Sequence, residues 1–175
     1  MKRMLCAVFC SLFLVGIGWG QMVPGCFPVT AFNTARGILQ FGTVDPISAM
    51  TSSDDVHATW ARGFIVNRTE APIWLEFETQ LTTSCSSAQF SIESSANTPG
   101  LTATVELFNF CKNRWEVVDT FSESFSIDST FNVGVQSCNA NSKGFVQARV
   151  GWRRTGFTIV PNYMVRVDQV KWTCN

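Results

Sequence analysis

The chain has one histidine and one tyrosine in 175 residues, and its 13 basic and 13 acidic side chains cancel. Each shortage removes a class of function. His57 is the only imidazole and no G-x-S-x-G occurs, so a serine or cysteine hydrolase would lack its positioned base. Balanced charge leaves no surplus of Lys and Arg for nucleic acid or an anionic membrane surface, which excludes both as partners. No two cysteines have the C-x-x-C spacing of zinc and redox sites. After the first 20 residues no apolar run nears the ~20 residues of a membrane-spanning helix, and no segment has a helical apolar period.

What is present favours strands. The chain is 46% apolar with 15 Phe and 6 Trp, enough for one domain with a sizeable core. Residues 1–20, MKRMLCAVFCSLFLVGIGWG, have two basic residues, an apolar run from Leu5 to Ile17 and small residues at Gly18 and Gly20. That is the layout of a secretory signal peptide cleaved after Gly20. Residues 21–34 read as an extended lead-in and 35–175 as the domain. Cys6 and Cys10 leave with the leader, and Cys26, Cys85, Cys111, Cys138 and Cys174 remain, which in an exported chain are disulfide candidates. A secreted, periplasmic or cell-surface location follows.

Ser87 to Thr120 organises the chain: SAQFSIES, LTATVELFNF and NRWEVVDT are three strands separated by SANTPG and CKN. Phe90 and Ile92, Val105 and Leu107, and Trp115 and Val117 alternate with polar residues, the period of a sheet with one wet face. Around them lie a short strand at Ala35 to Gly42, a Ser- and Asp-rich loop ISAMTSSDD, and strands at His57 to Val66, Ile73 to Gln80, Phe125 to Val135, Phe145 to Trp152 and Tyr163 to Trp172. In the last, Val165 and Val167 share one parity and Val170 and Trp172 the other, so a β-bulge belongs at Asp168 and Gln169. Eight strands from His57 onward predict an all-β, two-sheet antiparallel β-sandwich of jelly-roll type. The alternative, an immunoglobulin-like sandwich, wants seven strands and a Cys-Trp-Cys core.

The segments TARGILQFG, SSDD before a strand, SIESSANTPGLTATVELFNF with WEVVDT, VQARVGWRRTG and VRVDQVKW resemble an uncharacterised secreted domain abundant in planctomycete and related bacterial proteomes. The resemblance runs from about Thr34 to Trp172 and implies an exported β-rich domain with no activity to carry over to any residue. The cysteines at 85, 111, 138 and 174 are additions to that pattern. VRVDQVKW is also similar, more loosely, to the last strand of galactose-binding-like and carbohydrate-binding jelly rolls.

Candidate sites follow from which side chains point outward. Trp74 and Glu76 on one strand, with Gln147 and Arg149 across the sheet, offer a flat ring beside polar groups, the composition of a glycan platform. A glycan hydrolase, the least favoured reading, would lean on Glu76 and Glu78 with Glu106 or Asp119 from neighbouring strands. Asp54, Asp55 and Asp168 offer oxygens to a structural calcium, which takes six to eight of them, and no other cofactor is expected. Asn67-Arg68-Thr69 is a formal glycosylation acceptor. The reading is therefore a non-catalytic binding or scaffolding module whose partner is a glycan or another envelope protein, the alternative being a self-associating surface component.

Strand order constrains the cysteines. In a jelly roll every strand reverses, so the second, fourth and sixth connections and the end of the eighth strand share one end of the sandwich. Cys85, Cys111, Cys138 and Cys174 lie there in that order. The third and eighth strands are neighbours, as are the fourth and seventh, which favours Cys85 with Cys174 and Cys111 with Cys138 and leaves Cys26 outside the sandwich. A competing arrangement ties Cys26 to Cys174.

Overall fold

A computed structural model describes residues 25–40, 45–63, 70–82, 85, 87–155 and 163–174. The expected leader, Phe64 and Val66, Asn67-Arg68-Thr69 and residues 156–162 of the last connection lie outside these residues. The strands are β1 Gly25–Pro28, β2 Ala31–Arg36, β3 Ile38–Leu39, β4 Ala58–Ala61, β5 Ile73–Gln80, β6 Ala88–Ala96, β7 Leu101–Asn109, β8 Arg114–Ser122, β9 Ser129–Val135, β10 Phe145–Arg154 and β11 Met164–Cys174. A short helix, α1 Pro46–Ala49, sits between β3 and β4.

Two antiparallel sheets face each other as a jelly-roll sandwich. One has the order β2-β5-β10-β7-β8; the other runs β3-β4-β11-β6-β9, with β1 also on β11. Strict alternation makes this possible: Ile73, Leu75 and Phe77 of β5 are buried while Trp74, Glu76 and Glu78 are not. Among the described residues, Trp60, Trp152 and Trp172 are fully buried. Phe77 from one sheet and Phe90 from the other meet at 6.5 Å between ring centroids, and Phe90 lies 5.0 Å from Trp172. Burying each such phenylalanine contributes about 1.5–3 kcal/mol. The buried indoles keep their N–H groups satisfied where the fold offers an acceptor: Trp60 Nε1 donates to Thr34 Oγ1 at 3.0 Å and Trp152 Nε1 to Glu123.

Connections follow their residues. Gly37 takes φ +110°, open to glycine and strained for other residues, and lets the chain leave β2 in one sheet for β3 in the other. Asn113 takes φ +51° in the β7–β8 turn, and Gly100 takes φ +77° in the β6–β7 turn. β11 carries the expected bulge, its register on β6 shifting between Val167 and Gln169.

Both expected cysteine pairs form, Cys85–Cys174 and Cys111–Cys138, each with 5.4 Å between Cα atoms. That separation suits a disulfide without backbone movement.

The three organising strands divide between the two sheets, β6 in the six-stranded one and β7 and β8 in the other. Several expectations shift. The lead-in and first strand are β1, β2 and β3, so Cys26 belongs to the sandwich, paired with Thr173 on β11, and takes part in neither bridge. The SSDD loop begins with α1, where Pro46 presets the first turn and the Asp45 carboxylate accepts from the Ile47 N–H. β9 begins at Ser129 rather than Phe125, because Ser126 turns through φ +61° and leaves Phe125 and Ile127 exposed.

Candidate functional site

The outer face of the β2-β5-β10-β7-β8 sheet gathers the four residues expected at a platform. β10 pairs with β5 so that Gln147 stands opposite Glu78, Arg149 opposite Glu76, and Gly151 opposite Trp74. On its other side Arg149 stands opposite Glu106 of β7, and its Nε–H donates to the Glu106 carboxylate. The guanidinium lies 5.1 Å from the Trp74 ring centroid and 4.6 Å from that of Trp115, within cation–π reach of both. Phe108 braces Trp115 edge-on at 5.3 Å. One cation on β10 therefore spaces an indole of β5 from one of β8.

Trp74 owes its posture to Gly151. A Cβ on Gly151 would stand 2.6 Å from the indole ring, so only glycine lets the ring settle against the strand. The carboxylates beside it are held by neutral amides: Asn33 Nδ2 donates to Glu76 at 3.1 Å and Gln147 Nε2 to Glu78 at 3.2 Å. Each carboxylate has further lone pairs, and a polyol can donate to them.

Trp115 and Val117 correct the reading of β8. Their parity was expected to face the core, yet they stand opposite Phe108 and Glu106 on the outer face, and Val117 is 61% exposed. β8 is an edge strand, and a bulge at Val105 and Glu106 shifts its register. Alternation revealed two faces here without revealing which was wet.

The catalytic pairing fares differently. Glu76 and Glu106 do flank Arg149, but Glu106 is committed to that cation and Asp119 caps its neighbour, accepting from the Thr120 N–H at 2.7 Å. The two carboxyls that burial pushes up, Glu123 and Asp168, are not on this face. A groove of about 560 Å³ does open on the flank between β8 and β9, lined by Val117, Val118, Val133 and Glu116. Arg114, then Lys112 and Asn109, hold the Glu116 carboxyl down to about 2, so it is no proton donor near neutral pH.

The expected calcium set is only partly assembled. Asp55 and Asp168 each bring a carboxylate oxygen into a group whose third member is Asp128, which precedes β9 and was not anticipated; these oxygens lie within 4.8 Å of one another. Asp54 turns to its own loop, accepting from Ser52 Oγ at 2.8 Å and from the Val56 N–H at 3.1 Å. Burial first, then Glu93 and the nearby Asp128 and Asp54, push the Asp168 carboxyl up to about 6 against a smaller opposing effect of His57.

No family model and no curated protein matches the chain. Solved structures do share its fold. A mutant family 29 carbohydrate-binding module complexed with cellulohexaose is similar at TM-score 0.52 and 7% identity, over 87% of this chain and 93% of that one. Another structure of a family 29 module gives 0.50 and 7%, over 86% and 89%. The CBM22-1 and GH10 modules of a Clostridium thermocellum xylanase, complexed with xylohexaose, give 0.50 and 12%, over 85% of this chain and 28% of that one. At such identities the likeness is one of fold.

Proposed function

We propose that the protein is an exported, non-catalytic module that binds glycans on the outer face of the five-stranded sheet. The observation that carries this reading is Trp74 seated on Gly151 and spaced from Trp115 by Arg149, with the carboxylates of Glu76 and Glu78 beside it. A sugar ring presents C–H groups to a flat indole and hydroxyls to side groups at its rim, so an aromatic bordered by acceptors suits it. Arg149, ion-paired and enclosed by two rings, orders the platform. Solved structures of similar fold include carbohydrate-binding modules, two of them in complex with the oligosaccharides cellulohexaose and xylohexaose. Two disulfides accord with an oxidising compartment, and among the described residues no helix is long and apolar enough to cross a membrane.

A glycan array probed with the purified protein tests the proposal. Binding to a defined set of oligosaccharides that drops at least tenfold in Trp74→Ala, with the melting temperature retained, supports it. An array without signal, or a signal untouched by Trp74→Ala, sinks it. Hydrolysis of a bound glycan that stops in Glu76→Gln would overturn the non-catalytic part alone.

A further inference from the structure

The segment before β4, the loop before β9 and the bulge of β11 converge on one point, open to solvent at Asp55 and buried at Asp168. The bulge places the Asp168 side chain where it is only 1% exposed, and its Oδ1 has no hydrogen-bond partner. Asp128, whose side chain is 20% exposed, likewise leaves Oδ1 without a partner, its Oδ2 being 2.9 Å from His57 Nε2. Asp55 closes the group from a left-handed backbone position, φ +65°. Glu93 and Asp54 add negative charge to the surroundings of Asp168, and His57 is the only group there to oppose it.

Buried carboxylate oxygens without donors are strongly unfavourable, and three carboxylates at such range repel one another. The fold nevertheless brings them together with a bulge that a plain strand would not need, and no Lys or Arg among the described residues pairs with them. From this geometry we infer that Asp55, Asp128 and Asp168 bind a calcium ion. A hard dication replaces the missing donors and turns the repulsion into attraction. All-oxygen ligands from three separate segments suit calcium, which accepts irregular shells of six to eight oxygens, better than magnesium, which demands a near-ideal octahedron. Backbone carbonyls and water complete the shell. The ion cross-links the segment carrying α1, the approach to β9 and the last strand. This site stands independently of the glycan reading, since its ligands come from residues off the tryptophan face.

The test uses chelator-treated full-length protein, with calcium chloride and magnesium chloride as probes. Calorimetric titration should give a saturable heat with calcium at about one ion per chain, and the melting temperature should rise by several degrees at saturation. Asp168→Asn and Asp128→Asn should abolish both responses. Because Asp168→Asn removes a buried and unpaired charge, its metal-free form should melt no lower than metal-free wild type, which separates loss of the site from loss of the fold. Asp54→Asn should respond as wild type does. Absence of heat and of thermal shift in the wild type, an undiminished calcium response in Asp168→Asn, or an equal response to magnesium would each overturn the assignment.

Discussion

Glu123 shows how one side chain can serve both sheets. It follows β8, is 6% exposed, and accepts from Ser94 Oγ at 2.9 Å on β6 and from Trp152 Nε1 on β10. Burial pushes its carboxyl up despite these donors. A carboxyl whose folded pKa is raised holds its proton more tightly in the folded chain, so its contribution to stability is present in acid. That contribution is lost as pH rises from the unfolded value near ~4.3 through the folded one. The difference in melting temperature between wild type and Glu123→Gln should therefore shift in favour of the wild type as pH is lowered from neutral, measured in parallel thermal melts. Glu123→Ala, which leaves the Trp152 N–H and the Ser94 hydroxyl unpaired, should lower stability by about 1–3 kcal/mol in denaturant titration. At Gly151 the added methyl of Gly151→Ala should displace the Trp74 indole and weaken the proposed glycan binding roughly tenfold, with little change in melting temperature. Trp74, Gln147 and Arg149 were legible in the sequence because simple alternation puts them outward on strands buried on one face. Asp128 was not, because nothing local distinguishes an aspartate that ends a turn from one that meets a distant bulge.

At the scale of elements, the pairing of β6 with β11 and of β7 with β10 decides the cysteines. That much was legible, since strand reversal alone puts three connections and the end of the last strand at one end of the sandwich. The bridges close loops of 89 and 27 residues. Loop entropy then assigns them about 4.5 and 3.5 kcal/mol respectively, through the unfolded chain. Paired serine substitutions should reproduce that order in urea midpoints, with Cys85→Ser/Cys174→Ser the more damaging. The bulge was legible too, because Val167 and Val170 cannot both face the core of an unbroken strand. Deleting Asp168 should leave Val165, Val167, Val170 and Trp172 on one parity of a regular strand, so the cooperative thermal transition should persist without the bulge. Where elements lie at the edge of a sheet, the sequence was less informative. β8 shows its apolar parity to solvent, and β1, only four residues ending in Pro28, carries too short a pattern to mark itself as a strand.

For the whole molecule, β11 is the member on which most others depend: β1 and β4 lie along one of its edges and β6 along the other. Gly25 is the registered partner of Cys174, so the first and last described residues of the sandwich stand side by side. Tension applied between them runs across the β1–β11 ladder, rung by rung, as in a zipper, and should open it at low force. It should go no further along β11, because Cys174 is tethered to Cys85 and the load passes into the covalent link. A force-extension trace on the oxidised protein should thus begin with a weak early release of β1. With dithiothreitol present, β11 itself can be drawn from between its neighbours. A protein anchored at one point and pulled at another would then yield by shedding a short strap while the five-stranded sheet stays whole.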